Sequence, residues 1–262
     1  MTPNPRHLFT ATATFMLLAT AACGDGSPKP GASAPTAPAA VAVAALIDPG
    51  DGGNYRPAID PSRFVTEVDN PFLPLVPGSH WVYEGTSPDG IERIEVVVTD
   101  QKRTILGIEA VVVRDTVTMD GVVFEDTFDW YAQDVDGNVW YLGEATEEHE
   151  DGKISTAGSW EAGVDGARPG IVMQARPAVG TIYRQEFYKG EAEDLAEIVR
   201  TGQSATVAAG SYRDLVVIKE WNPFHPAVLE EKYFAPGIGL VLEVETAGGT
   251  GRVELVEFTP GR

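Results

Sequence analysis

The chain has 262 residues, 39 acidic against 19 basic side chains and a formal net charge of −20, with a sequence pI of about 4.4. So acidic a surface repels phosphate backbones and anionic lipid headgroups and attracts cations, which excludes nucleic acid as a partner. A single cysteine in the whole chain excludes an intramolecular disulfide.

The chain opens MTPNPRHLFTATATFMLLATAACGDG. Arg6 and His7 make a short basic start, and the apolar run from Leu8 to Ala22 is too short to span a bilayer, so residues 1–22 read as a secretory signal. Cys23 follows the small pair Ala21 and Ala22. This junction resembles the lipobox of bacterial lipoproteins, with Thr20 where that box usually carries leucine. The resemblance implies cleavage before Cys23, a diacylated cysteine at the new N-terminus, palmitate included, and a membrane contact made through that anchor. Gly24 is compatible with outer-membrane sorting in a host with two membranes. The other reading is an ordinary signal peptide with a cysteine near its end. Residues 24–48, GDGSPKPGASAPTAPAAVAVAALID, are too rich in Ala, Pro and Gly to form a core, so 23–48 is an anchor plus tether. Residues 49–67 form an irregular, turn-rich lead-in, and 68–262 a single all-β domain.

From Trp81 onward the pattern is β. Asp-Gly occurs at 89–90, 120–121, 136–137, 151–152 and 165–166, between runs rich in Val, Ile, Thr and aromatics. Asp-Gly supplies the positive φ values of a type I′ turn, so each pair predicts a hairpin. Strands are predicted at 81–86, 91–100, 109–119, 122–134, 138–144, 153–160, 170–174, 180–188, 197–202, 204–208, 212–221, 229–235, 239–247 and 252–258. The predicted fold is all-β, a strongly twisted antiparallel meander forming a half-barrel or open barrel, with at most one short helix. Only GEAEDLAEI, residues 190–198, has helix-forming composition, and it reads as a short helix or a loop.

Two stretches carry a resemblance. NPFLPLVPGSHWVYEG puts a Pro-Leu-x-Pro-Gly turn before a Trp-x-Tyr strand, and ATVAAGSYRDLVVIKEW with KYFAPGIGLVLEVE supplies two further turn-and-strand motifs. Both resemble uncharacterised bacterial lipoproteins whose curved antiparallel sheet is like the half-barrel of periplasmic lipoprotein carriers. The resemblance covers about a third of the mature chain at its two ends and implies a fold but no ligand. The carriers' helices have no counterpart in this sequence.

Turn-fixed register allows cross-strand pairs to be proposed. A turn at Asp120-Gly121 places Asp115 opposite Asp126, Val113 opposite Phe128 and Val111 opposite Trp130, with Arg114 one diagonal step from Asp129. A turn at Asp136-Gly137 places Gln133 opposite Trp140 and Asp129 opposite Glu144, on the other face of the sheet. Opposed carboxylates in apolar surroundings share a proton, bind a cation or meet a basic residue. Asp115, Asp126, Asp129 and Glu144 are therefore the candidate metal or ligand residues, with Ca²⁺ as the candidate ion. Trp130, Tyr141, Phe124 and Phe128 are the candidate aromatic face for a small apolar ligand. Asp134, Asp136 and Asn138 read either as a calcium loop or as a hairpin apex; the loop pattern fails at its sixth and twelfth positions, Asp-Gly coming too early and Ala145 standing last.

Arg184 and Glu186 share a strand face, which reads as a solvated rim or as a source of an arginine for an acid pair. The glycine-rich loop at 158–170 lacks the pattern of a phosphate cradle. His80, His149 and His225 have no metal-ligand spacing, and no Gly-x-Ser-x-Gly is present. The expectation is a lipid-anchored extracytoplasmic protein that binds a small apolar ligand or an envelope protein without catalysis. The alternative is a divalent-metal protein or metal-dependent enzyme built on the opposed acids.

Overall fold

The computed structural model describes residues 51–87, 90–150 and 152–262. The signal segment, Cys23 and the tether lie outside the described residues.

The lead-in carries a 3₁₀ turn at Pro61–Arg63, capped by the Asp60 side chain, and the short strand β1 (Phe64–Val65); two further short strands, β2 (Asp69–Asn70) and β3 (Leu73–Pro74), follow it directly. The main run continues through β4 (His80–Ser87), β5 (Gly90–Ile105), β6 (Ile108–Met119), β7 (Val122–Asp134) and β8 (Val139–Glu150). Short pieces follow at β9 (Lys153–Ser155), β10 (Trp160–Glu161), β11 (Arg168–Met173), β12 (Ile182–Arg184) and β13 (Glu186–Phe187). The last long strands are β14 (Leu195–Val207), β15 (Gly210–Trp221), β16 (Leu229–Ala235), β17 (Gly239–Ala247) and β18 (Arg252–Thr259).

Apart from β2 and β3, which pair with each other, these strands form one antiparallel sheet whose main path runs β12-β14-β15-β16-β17-β18-β4-β5-β6-β7-β8-β11-β13, with β1 on β7 and β9 and β10 on β8. Apart from the join of β18 to β4, neighbours along the long walls are sequence neighbours, as short turns between strands require. The sheet curls until its two edges meet at one extended stretch. Ile182, Tyr183 and Arg184 pair with β14, and Glu186 and Phe187 pair with β11, with Gln185 between them. Residues 182–187 therefore all but close the barrel, which removes most of the exposed edge that an open sheet would leave.

The closure is tight and sealed. A side chain at Gly170 would meet the backbone of Gln185 at 2.3 Å. The Arg184 guanidinium, almost fully buried, donates from Nε to Asp51 at 2.6 Å and stacks over the Phe187 ring at 4.7 Å. The Tyr55 hydroxyl donates to the Pro169 carbonyl at 3.1 Å, and its ring meets Phe187 edge-on. Arg184 is thus a buried clamp on the lead-in, not part of a solvated rim, and it serves no acid pair of β6 to β8.

The all-β expectation holds, and the strand boundaries agree closely with the alternation. Several stretches differ. The predicted strand at 91–100 runs on to Ile105 and that at 138–144 to Glu150, 153–160 is the two short pieces β9 and β10, 180–188 divides into β12 and β13, and 197–202 with 204–208 is one strand, β14. The helix-like run at 190–198 is a turn closed by the Tyr188↔Ala192 bridge, after which Leu195 enters β14. Nine residues carry little intrinsic helicity, and burial of Leu195, Ala196 and Ile198 in the barrel core decides the outcome.

Candidate functional site

Which acids face inward depends on register, and register depends on bulges. At the β6–β7 turn, Asp120 (φ 49°) and Gly121 (φ 81°) adopt the left-handed pair expected of type I′. Met119 pairs with Val122 and Thr118 with Val123, as the turn dictates. Phe124 is then an extra residue, and Val117 pairs with Glu125. This bulge shifts every later pair by one, and a one-residue slip exchanges the faces. Asp115 consequently pairs with Thr127 and Asp126 with Thr116, so the predicted Asp115–Asp126 opposition does not exist.

The consequence is a sorting of the acids. Asp126 lies on the outer face, where Arg114 grips it from Nε at 2.8 Å and from Nη2 at 2.7 Å. Arg114 pairs with this acid and not with Asp129, and the guanidinium holds the Asp126 carboxyl below its usual range. Asp115, Thr127, Val113 and Asp129 share the inner face.

The second hairpin reaches the expected pair by a different route. Its apex spans five residues, with Asp134 N–H donating to the Asn138 carbonyl at 3.0 Å, so Gln133 pairs with Val139 and not with Trp140. An extra residue on β8, around Leu142 and Gly143, then restores the count and Asp129 pairs with Glu144. Gly143 has φ 129°, and a side chain there would meet the Trp160 carbonyl at 2.3 Å, so glycine is required. The Asp134 carboxylate accepts from the backbone of Asp136 and Asn138, from Asn138 Nδ2 and from Trp140 Nε1, at 2.8 to 3.0 Å. That acid is the hub of a hairpin apex, with its oxygens committed to the turn.

The aromatic residues separate. Tyr141 faces inward and stacks on Tyr131 with centroids 5.0 Å apart. Trp130 faces outward under the Arg103 guanidinium at 4.1 Å, and Phe128 lies beside Arg114. Phe124 is the buried bulge residue. The four therefore do not make one ligand face, because the register that would align them is displaced.

The barrel interior holds a partly open cavity of about 130 Å³. Its apolar wall includes Trp81, Ile94, Val96, Val113, Phe234 and Leu240, and Leu73 and Leu75 come down from just after the lead-in. Trp81 Nε1 donates to the Ile238 carbonyl at 2.8 Å and the Tyr83 hydroxyl to the Leu240 carbonyl at 3.1 Å, which fixes both rings against the β16–β17 turn. The polar part of the wall is Asp115, Asp129, Gln185, Glu220, Lys232 and Glu243.

Lys232 lies 2.6 Å from Glu220 and 3.6 Å from Glu243, all three buried. Gln185 Nε2 donates to Glu220 at 2.8 Å. On the facing wall the donors are hydroxyls. Tyr141 donates to Asp129 at 2.6 Å, and Thr127 to Glu125 at 2.9 Å. Glu144 and Glu186 make no hydrogen bond of good geometry on either carboxylate oxygen; the Tyr141 hydroxyl is near enough to Glu144, and the Trp160 indole and the Asp194 backbone to Glu186, to favour the ionised forms.

Burial dominates the protonation of this wall. It pushes Asp129 up to about 7, against the opposing Tyr141 hydrogen bond, and Glu125 up to about 8, with Asp115 and Glu148 adding to the rise. It lifts Asp115 well above the usual carboxylate range, helped by Asp129 and opposed by Lys232. Glu144 and Glu186 rise for the same first reason, reinforced by neighbouring acids.

Among the described residues no three His, Cys, Asp or Glu side chains converge to hold a metal ion. The calcium reading therefore loses its geometry, because the bulge sends Asp126 outward to Arg114. Lys232, Glu220, Glu243 and Gln185 were not candidates on sequence. The available signal was alternation in β16, where Glu230, Lys232 and Phe234 share a face and a lysine beside a buried phenylalanine points to an interior partner.

No protein-family model and no curated protein matches the chain. Two solved structures are similar. One is a protein described as exported, with a YmcC-like fold, from Bacteroides fragilis: 14% identity, TM-score 0.45, covering 72% of this chain and 99% of that one. The other is described as a lipoprotein from Parabacteroides distasonis: 14% identity, TM-score 0.43, covering 72% of this chain and 98% of that one.

Proposed function

We propose that the protein is a lipid-anchored, extracytoplasmic binding module, without catalysis, whose ligand site is the barrel interior. The observation that carries this reading is the cavity of about 130 Å³, with an apolar wall and a few buried polar groups, the usual make-up of a small-molecule site. Its size is near the roughly 150 Å³ of a dry cavity that accepts benzene. Support for export and anchoring comes from the signal-like start, from Cys23 after two alanines and from the tether that would hold the barrel off a membrane. Residues 23–48 give that tether ample reach.

Two experiments test the parts separately. Cys23→Ser should move the protein from the membrane to the soluble fraction; unchanged retention would end the anchor reading. Titration with cyclohexane-sized compounds should raise the melting temperature saturably, and Val113→Phe, which fills the cavity, should remove the rise. A rise that survives Val113→Phe places binding elsewhere.

A further inference from the structure

The fully buried side-chain atoms of the cavity wall that lack a hydrogen-bond partner are all oxygens. Three buried side-chain atoms that line it have no hydrogen-bond partner: Asp115 Oδ1, Gln185 Oε1 and Glu243 Oε1. The Gln185 oxygen is an acceptor, and the two carboxyl oxygens are acceptors in the ionised form, which burial disfavours at Asp115. The amide orientation of Gln185 is fixed by the Nε2 donation to Glu220, which leaves its oxygen toward the cavity. The ammonium among the lining residues, Lys232, is already held by Glu220 and Glu243. The indole N–H of Trp81 and the hydroxyl of Tyr83 are spent on backbone carbonyls. A buried acceptor without a donor is costly, so these three oxygens are complementary to a ligand that brings donors.

We propose that the cavity binds a small primary ammonium compound with a compact apolar body, its nitrogen donating to Asp115, Gln185 and Glu243. A primary ammonium carries three N–H donors and no acceptor, matching the three vacant oxygens. The apolar body, of roughly six to eight heavy atoms by volume, lies against Ile94, Val96, Val113 and Phe234. Charge points the same way: four carboxyl groups line the cavity against one lysine, and Glu144 and Glu186 act on Asp129 from behind. A cation beside Asp115 also stabilises the ionised form that burial disfavours. The inference rests on the interior being the ligand site and names the chemistry of that ligand.

Calorimetric titration of the purified full-length protein, at matched ionic strength, with cyclohexylammonium, cyclohexanol and cyclohexanecarboxylate tests it. Cyclohexylammonium should bind about tenfold more tightly than cyclohexanol, and the carboxylate most weakly. Asp115→Asn should bring the ammonium down to the alcohol. Glu243→Gln serves as the second variant and decides the matter if Asp115→Asn does not fold. Equal or tighter binding of the alcohol or the carboxylate would overturn the ammonium specificity while leaving the ligand site standing. A preference for ammonium that persists in both variants would also overturn it. If none of the cyclohexyl compounds binds, the ligand-site reading falls as well.

Discussion

The two walls of the barrel bury acids in opposite ways. On β15 to β17, Glu220 and Glu243 are set around Lys232, and a charge answers a charge. On β6 to β8, Asp115, Glu125, Asp129 and Glu144 are buried with hydroxyl donors at most, and burial drives them toward holding protons. Desolvation is the same on both sides. What differs is whether an ammonium was placed within reach: burial lifts Glu243 to about 7 even against Lys232, much as it lifts Asp129, so both walls respond to pH, but only the lysine wall hangs on one residue.

Lys232→Met should have the largest effect. It leaves Glu220 and Glu243 buried without their cation, a loss of about 3–5 kcal/mol by analogy with broken buried pairs. Urea unfolding at neutral pH measures it. Adding Glu220→Gln to Lys232→Met should restore part of the loss, because the uncompensated carboxylate is then gone. A Lys232→Met variant as stable as the parent would show that the lysine wall is not held together by charge.

Where the walls meet, Gly170→Ala should be next. The added methyl falls 2.3 Å from the Gln185 backbone, and neither strand can yield without opening the closure. A loss of about 1–3 kcal/mol is expected from overpacking. Faster hydrogen exchange at residues 182–187 than elsewhere in the sheet would localise the damage.

The acid wall, with no cation of its own, should show its pH response most plainly. Asp129 and Glu125 have carboxyls raised to about 7 and about 8 in the folded protein. Between the unfolded carboxylate range and those values the folded state holds protons that the unfolded state has released. Stability from these groups is therefore complete below about pH 4 and is lost as pH rises toward 7 and 8, by at most about 1.4 kcal/mol per pH unit for each group. Asp129→Asn should flatten the decline in melting temperature over that window. An unchanged slope would mean Asp129 ionises as freely as an exposed acid.

The smallest effect should come from the outer face. Arg114 is half exposed, so Arg114→Ala should cost only about 0–1 kcal/mol despite its two-pronged grip on Asp126. A loss as large as that of Lys232→Met would erase the contrast between inside and outside.

The sequence made the strands legible and left the site half hidden. Alternation and Asp-Gly turns mark nearly every long strand, because both are local signals. The sheet's closure by residues 182–187 was not legible, since it depends on partners about 10 to 20 residues away on either side. Register failed at Phe124, where one extra residue turns a predicted acid pair into one inner and one outer acid. Gly143, a glycine inside a strand, was a readable sign of the second bulge. The Asp129–Glu144 pairing emerges because a wider apex and that bulge offset each other. Lys232 was missed because its partners come from strands on both sides of it.

The most direct test follows the two acids that the bulge separates. Side-chain carboxyl NMR of Asp115 and Asp126, titrated with pH, should find Asp126 below the ordinary aspartate range under the hold of Arg114 and Asp115 well above it through burial. Ordinary titration of both, moving together, would contradict the acid-walled interior on which the account stands.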